Sequence, residues 1–105
     1  MAQVVPLPTK IRIPVVAEYQ KALASLDPKA EYSFSGLEGF ITAKVLVEGL
    51  KRTGKDLTRP KFIKAMEAIH DLDVGDYFVS YSPTNHNGSK YVDITVINKD
   101  GRFFN

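Results

Sequence analysis

Apolar residues recur at intervals of three and four in three parts of the chain, which is the spacing of one face of an α-helix. The first part begins at Pro14, which suits a first helical turn because that turn needs no amide donor, and it ends before Pro28. The third part begins at Thr58 as a helix cap and ends near His70. These patterns predict two amphipathic helices on either side of a longer central helix.

The central helix has the widest apolar surface of the three. Ser35 and Glu38 have the spacing of a capping box, which predicts that the helix begins at Ser35, and Gly54 predicts its end. Beyond the capping Glu38, the charged residues of this helix form one narrow strip of Lys44, Glu48, Lys51 and Arg52. Because most of the circumference is apolar, we expect the helix to be contacted on several sides.

Alternating apolar and polar residues predict short strands at both ends of the chain. A strand over residues 3–5 is ended by Pro6, since proline cannot donate to a sheet ladder. The runs 77–82 and 91–97 predict a β-hairpin with a long polar loop, and Asp100-Gly101 predicts a second turn before a short last strand. The predicted fold class is α/β, with about three helices, an N-terminal strand and a C-terminal β-hairpin.

Composition restricts the chain to one small domain or a piece of a larger one. It has 105 residues, with 14 basic and 12 acidic side chains and a net charge of +2. The absence of cysteine excludes disulfides and thiolate chemistry. No apolar run approaches the length of a membrane span, and the first residues lack the basic start and apolar stretch of a signal peptide, so we expect no export of the chain as written.

Local motifs indicate no catalytic chemistry. His70 and His86 lie in different predicted elements without dense ligand spacing, and the scattered glycines form no phosphate-binding loop. Basic residues alternate with acidic ones, so a nucleic-acid surface is not indicated. We therefore predict no catalytic residue, no metal, no cofactor and no nucleic-acid partner.

Short motifs follow one another along the whole chain in a characteristic order. They are Val4-Val5-Pro6, Pro14-Val15-Val16, Ser35-Gly36-Leu37-Glu38-Gly39-Phe40, Ala43-Lys44-Val45-Leu46-Val47-Glu48, Leu57-Thr58-Arg59, Ser82-Pro83-Thr84-Asn85-His86 and Asp100-Gly101-Arg102-Phe103. This order resembles the C-terminal portion of a type I periplasmic solute-binding protein, in particular the branched-chain amino acid receptor family of ABC transporters.

The resemblance implies that residues 1–105 are one partial domain of a two-lobe fold that closes on a small ligand. The implied hinge residues are Pro6, Leu7, Pro8, Ser82, Pro83 and Thr84. The implied residues at the edge of the ligand cleft are Ser35, Leu37, Glu38 and Phe40. Helical periodicity alone favours a core position for Leu37 and Phe40 over a ligand contact.

The function implied is a non-enzymatic, periplasmic or extracellular receptor. It would deliver an amino acid or a related carboxylate, aromatic acids included, to the membrane permease of an ABC transporter. Two alternatives remain open, namely a self-standing oligomerisation or protein-interaction module, and the sensory domain of a larger protein. We also expect the short chain to form a homo-oligomer, for example a dimer that exchanges its C-terminal hairpin.

Overall fold

The computed structural model describes residues 2–104 and contains three helices and three small two-stranded sheets. The elements are β1 (Ala2–Gln3), α1 (Pro14–Leu26), α2 (Phe34–Thr53), α3 (Arg59–Glu67), β2 (Leu72–Asp73), β3 (Phe78–Val79), β4 (Asp93–Ile94), β5 (Val96–Ile97) and β6 (Phe103–Phe104). The predicted set of three helices, a short N-terminal strand and a C-terminal hairpin is confirmed. The first strand is shorter than predicted, since it ends at Gln3.

Helix α1 begins and ends where the sequence predicts. No side chain caps its first turn, but the Val15 amide donates to the Gly75 carbonyl at 3.0 Å, so one otherwise unpaired donor is satisfied by a distant loop. Gly75 has φ +118°, and a Cβ at this position would overlap the Val15 backbone. Glycine at residue 75 therefore permits the close approach that completes the start of α1.

Helix α2 begins at Phe34, and its cap lies two residues before the predicted one. The cap is Ser33, whose hydroxyl accepts from the Gly36 amide at 2.9 Å, while Ser35 is exposed within the first turn. The capping box proposed for Ser35 and Glu38 is therefore wrong, because the serine two residues before it already occupies the cap. The end of α2 at Gly54 agrees with the prediction, and the residue has φ +81°.

Helix α3 is capped by Thr58 as predicted, but it ends at Glu67 instead of near His70. It packs across α2 at Gly49, where an added Cβ would overlap the Met66 sulfur and lie 3.0 Å from Phe62. Gly49 is buried, and its missing side chain lets the two helices approach closely at this crossing.

Strand pairing differs from the predicted long-loop hairpin. β3 pairs with β2, so that Leu72 faces Val79, and β4 pairs with β1, so that Ala2 faces Ile94. The run 77–82 therefore does not pair with the run 91–97. The C-terminal hairpin consists instead of β5 and β6, joined by the predicted turn, in which the Asn98 side chain accepts from the Arg102 amide at 2.9 Å.

The hydrophobic core lies between α1, the inner face of α2 and the β2–β3 hairpin. It is formed by Val5, Val15, Val16, Tyr19, Leu37, Ile41, Val45, Val74, Tyr77 and Val79. The Tyr77 hydroxyl donates to the Val4 carbonyl at 2.8 Å and so holds the first residues against the hairpin. The core covers only one side of α2, because Leu46, Val47 and Leu50 remain exposed.

Candidate functional site

The start of α2 carries the four residues implied to lie at a ligand cleft. Its position is fixed by Tyr19 of α1, whose hydroxyl accepts from the Ser33 amide at 3.3 Å and lies against Gly36. Ser35 and Glu38 are exposed, Phe40 is half-buried and Leu37 is fully buried in the core. Leu37 therefore packs in the hydrophobic core of this structure, which is the position that helical periodicity favours.

The four predicted cleft residues do not converge on one cavity. Glu38 lies at the edge of a groove between α2 and the N-terminal segment, and among residues 2–104 its carboxylate has no ion-pair or hydrogen-bond partner. Phe40 lies on another side of α2, with its ring 5.9 Å from both the Tyr19 ring and the Lys44 Nζ. Glu38 is thus the predicted residue with a free functional group beside an open cavity.

Both predicted hinge segments are anchored to helices or closed by turns. Pro6, Leu7 and Pro8 are buried, and the Pro8 carbonyl accepts from the Gln20 side chain of α1 at 2.9 Å. Ser82, Pro83 and Thr84 lie in a tight turn, in which the Ser82 amide donates to the Asn85 carbonyl at 2.9 Å. Movement about either segment stays a prediction.

An open groove of about 530 Å³ lies between α2, α3 and the extended segments beside them. Its apolar wall includes Val4, Val5, Ile41, Val45, Phe62 and Met66, and its polar edge includes Glu38, Thr42, Asn87 and Ser89. We call this cavity the apolar groove. A second hollow of about 480 Å³ continues from it along α3 and shares Leu46 and Phe62 with it.

Tyr77 and Tyr81 line one wall of the apolar groove, and the Tyr91 ring packs behind Tyr77 with the ring centroids 5.3 Å apart. Burial raises the pKa of Tyr81, and the adjacent Tyr77 adds to the rise. Burial, followed by the Asp93 carboxylate, raises the pKa of Tyr91, whose hydroxyl donates to Asp93 at 3.3 Å. Both phenols therefore keep their protons at neutral pH and can donate hydrogen bonds.

Sequence reasoning missed three polar contacts that fix the surroundings of the site. Lys44 pairs with Glu18 of α1, and its Nζ also donates to the Val74 carbonyl at 2.9 Å. His86, interpreted from sequence as a solvated turn residue, lies 2.9 Å from the Glu67 carboxylate through its Nε2. No local signal predicts these pairs, since their partners are 19 to 30 residues away.

The described residues contain neither a metal-ligand cluster nor a membrane-spanning helix. Among residues 2–104, no group of three His, Cys, Asp or Glu side chains could hold a metal ion. Within the same residues, no helix has the length and apolar character needed to cross a bilayer.

Solved structures share the fold of this chain over nearly its whole length. A substrate-binding periplasmic protein from Ralstonia solanacearum is 34% identical, with a TM-score of 0.86, over 98% of this chain. A possible leucine/isoleucine/valine-binding protein from Rhodopirellula baltica SH 1 is 28% identical, with a TM-score of 0.87, over 99%. An extracellular ligand-binding receptor from Verminephrobacter eiseniae ef01-2 is 30% identical, with a TM-score of 0.84, over 99%.

This chain spans less than a third of each of those proteins, namely 30%, 28% and 30% of their lengths. The chain has the fold of one part of a periplasmic binding protein. All three similar proteins are binding proteins or receptors, and none is described as an enzyme. No protein-family model matches the sequence, and no curated protein matches it.

Proposed function

We propose that this chain is the C-terminal part of an extracellular or periplasmic ligand-binding receptor that delivers a small solute to the permease of an ABC transporter. The observation that carries the proposal is the shared fold with three binding proteins over at least 98% of the chain, at 28% to 34% identity. The motif order along the sequence supports the same family. The receptor is non-enzymatic and acts by binding and release.

The proposed ligand is an amino acid or a related carboxylate, aromatic acids included. One of the similar structures is described as a leucine/isoleucine/valine-binding protein, which supports the amino acid class. We place Ser35, Glu38 and Phe40 near the cleft edge, with Leu37 supporting them from the core. Residues 6–8 and 82–84 are the proposed hinges.

Solute binding is tested in a single-chain graft, in which this chain replaces the matching 30% of the Ralstonia solanacearum protein. Isothermal titration measures the binding of leucine, valine, phenylalanine and benzoate to the graft. We expect saturable binding of at least one of them. A graft that folds cooperatively but binds none of the four solutes would contradict the proposed ligand class.

A matched pair of variants in the same graft tests the cleft edge. Glu38→Gln is expected to weaken solute binding, because it removes an exposed carboxylate that has no partner among residues 2–104. Glu31→Gln, at another exposed acid in the loop before α2, is expected to leave affinity unchanged. Equal affinities of the two variants would remove Glu38 from the proposed site.

A second candidate function is an oligomerisation module that binds no solute. The observation in its favour is the exposure of Leu46 and Leu50 on α2, Leu57 in the connecting loop and Ile63 on α3, because exposed apolar clusters of this kind mark protein contacts. The titration separates the two candidates, since a pure interaction module gives no solute signal in any graft.

A further inference from the structure

The chain exposes more surface than a compact protein of its mass. Its accessible area is 7412 Å². A compact monomer of 11.7 kDa is expected to expose about 5,900 Å², which leaves an excess of about 1,500 Å². The radius of gyration is 15.5 Å, against about 13 Å for a compact chain of 105 residues.

This excess is large enough for a permanent contact with another folded unit. Each partner in a standard protein interface contributes about 800 Å², and permanent interfaces are larger and more apolar. The apolar groove and the hollow beside it supply such a surface, with Leu46 47% exposed and Ile63 50% exposed. A monomer seldom leaves so wide an apolar surface in water.

The shape of this surface argues against a second copy of the chain as its occupant. In a two-fold dimer the same patch contacts itself, so the groove would face another groove. Two concave surfaces of about 530 Å³ each would enclose an unfilled space instead of excluding water. The occupant is therefore a convex apolar surface of a different sequence.

The similar structures indicate which polypeptide supplies that surface. The same arrangement of helices occurs in them with TM-scores of 0.84 to 0.87, although this chain covers 30% or less of each. We propose that the apolar face of α2 and α3 is the docking surface for the remaining portion of a periplasmic-binding-protein fold, about 70% of such a protein, and that this portion binds there when supplied as a separate polypeptide. The inference rests on the proposed function and names the contact that it requires.

Thiol labelling tests the docking surface directly, because the 105-residue chain contains no cysteine. Leu46→Cys places a thiol in the proposed contact, and Leu26→Cys places one at the end of α1, at a side chain that is 85% exposed. Each full-length variant is co-expressed with the Ralstonia solanacearum protein from which the matching 30% has been removed. Peptide mass spectrometry then follows alkylation of the two positions.

We expect the truncated partner to slow labelling of Leu46→Cys by about tenfold or more and to leave Leu26→Cys unchanged, because only the first position becomes buried. Leu46→Asp and Ile63→Asp should abolish co-purification, whereas Leu26→Asp should retain it. Equal labelling at positions 26 and 46, or retention of the complex by both α2–α3 variants, would overturn the proposal.

Two controls keep the outcome interpretable. In the first control, the segment removed from the Ralstonia solanacearum protein is supplied as a separate polypeptide. Its binding shows whether the truncated partner can bind the segment that it lacks. If it cannot, the labelling is repeated in the single-chain graft, where an unprotected Leu46→Cys overturns the proposal. Solute titration of the graft is independent of these results, so docking without solute binding would reject the proposed function alone.

Discussion

Ser33 performs two tasks at the junction of α1 and α2. Its hydroxyl accepts from the Gly36 amide at 2.9 Å, and its own amide donates to the Tyr19 hydroxyl at 3.3 Å. The first bond satisfies a donor that the helix leaves unpaired, and the second fixes the helix start against α1. Because this turn also carries Ser35 and Glu38, the cap helps to position the proposed cleft edge.

Replacing this cap tests which of two nearby serines begins α2. Ser33→Ala is expected to lower the free energy of unfolding by about 1 kcal/mol, because the Gly36 amide loses its acceptor. Ser35→Ala is the matched control and should change it by less than about 0.5 kcal/mol, since Ser35 is exposed within the first turn. Urea titration followed by circular dichroism measures the free energy of unfolding of both variants. A larger loss for Ser35→Ala than for Ser33→Ala would favour the capping box predicted from sequence.

Tyr81 makes the stability of the fold sensitive to alkaline pH. Burial raises its pKa in the folded state, so the folded protein holds the phenolic proton at a pH at which the unfolded chain releases it. Folding therefore loses stability as the pH rises above the unfolded value of about 10. This contribution is fully present at neutral pH.

The measurement is the urea midpoint at about pH 8 and at about pH 10.5, on either side of the unfolded pKa. Tyr81→Phe should lose less stability between the two conditions than the unmodified chain does, because it has no proton to release. Tyr32→Phe, at an exposed ring, is the control and should retain the full loss. A Tyr81→Phe variant with an unchanged pH dependence would contradict this account.

At the scale of elements, two glycines of α2 differ in whether they lie at the crossing with α3. Gly49 is buried against Met66 and Phe62, whereas nothing lies within 4 Å of a Cβ added at Gly39, on the same helix. The two glycines share their helical environment but differ in packing. They therefore offer a matched pair of substitutions.

Gly49→Val is expected to destabilise the fold by about 1–3 kcal/mol, because the new side chain overlaps Met66 and Phe62 and forces the helices apart. Gly39→Val should change stability by less than about 0.5 kcal/mol, since its side chain points into open space. Thermal unfolding of the two variants measures the difference. Equal unfolding temperatures of the two variants would show that α3 does not pack against α2 at Gly49.

The helices could be predicted from sequence because their signals are local. The helix ends predicted at Pro14, Thr58 and Gly54 are also helix ends in the structure. The start of α2 was misplaced because Ser33 and Ser35 satisfy the same preference, and only the contact of Ser33 with Tyr19 distinguishes them. Strand pairing was not predictable in the same way. The partner of β1 lies some ninety residues later in the chain, and β2, the partner of β3, is too short to show an alternation of apolar and polar residues.

At the scale of the whole molecule, the candidate site was predictable only in part. The broad apolar surface of α2 indicated an additional contact, and the structure shows a groove along it. The resemblance placed four cleft residues within the first two turns of one helix, but successive helical residues point to different sides of the helix axis. Consequently Leu37 is buried in the core, Glu38 lies at the groove, and Phe40 lies on another side.

The excess surface also predicts how the chain behaves alone. Without the complementary portion, we expect sedimentation velocity at micromolar concentration to show species larger than 11.7 kDa, because bare apolar surfaces associate loosely in water even where two concave grooves cannot form a well-packed dimer. A double variant, Leu46→Asp with Ile63→Asp, should sediment as a monomer. An unmodified chain that sediments as a compact monomer would contradict this expectation.

The pairing of β1 with β4 has a consequence for synthesis on the ribosome. Ala2 faces Ile94, so the first strand cannot close until almost the whole chain has been translated. At about 5–20 residues per second, roughly 5–20 s pass between the synthesis of β1 and the synthesis of its partner strand. During that interval β1 has no strand to pair with, so the segment that carries Val4 and Val5 can complete its place in the fold only after the helices and the β2–β3 hairpin have been made.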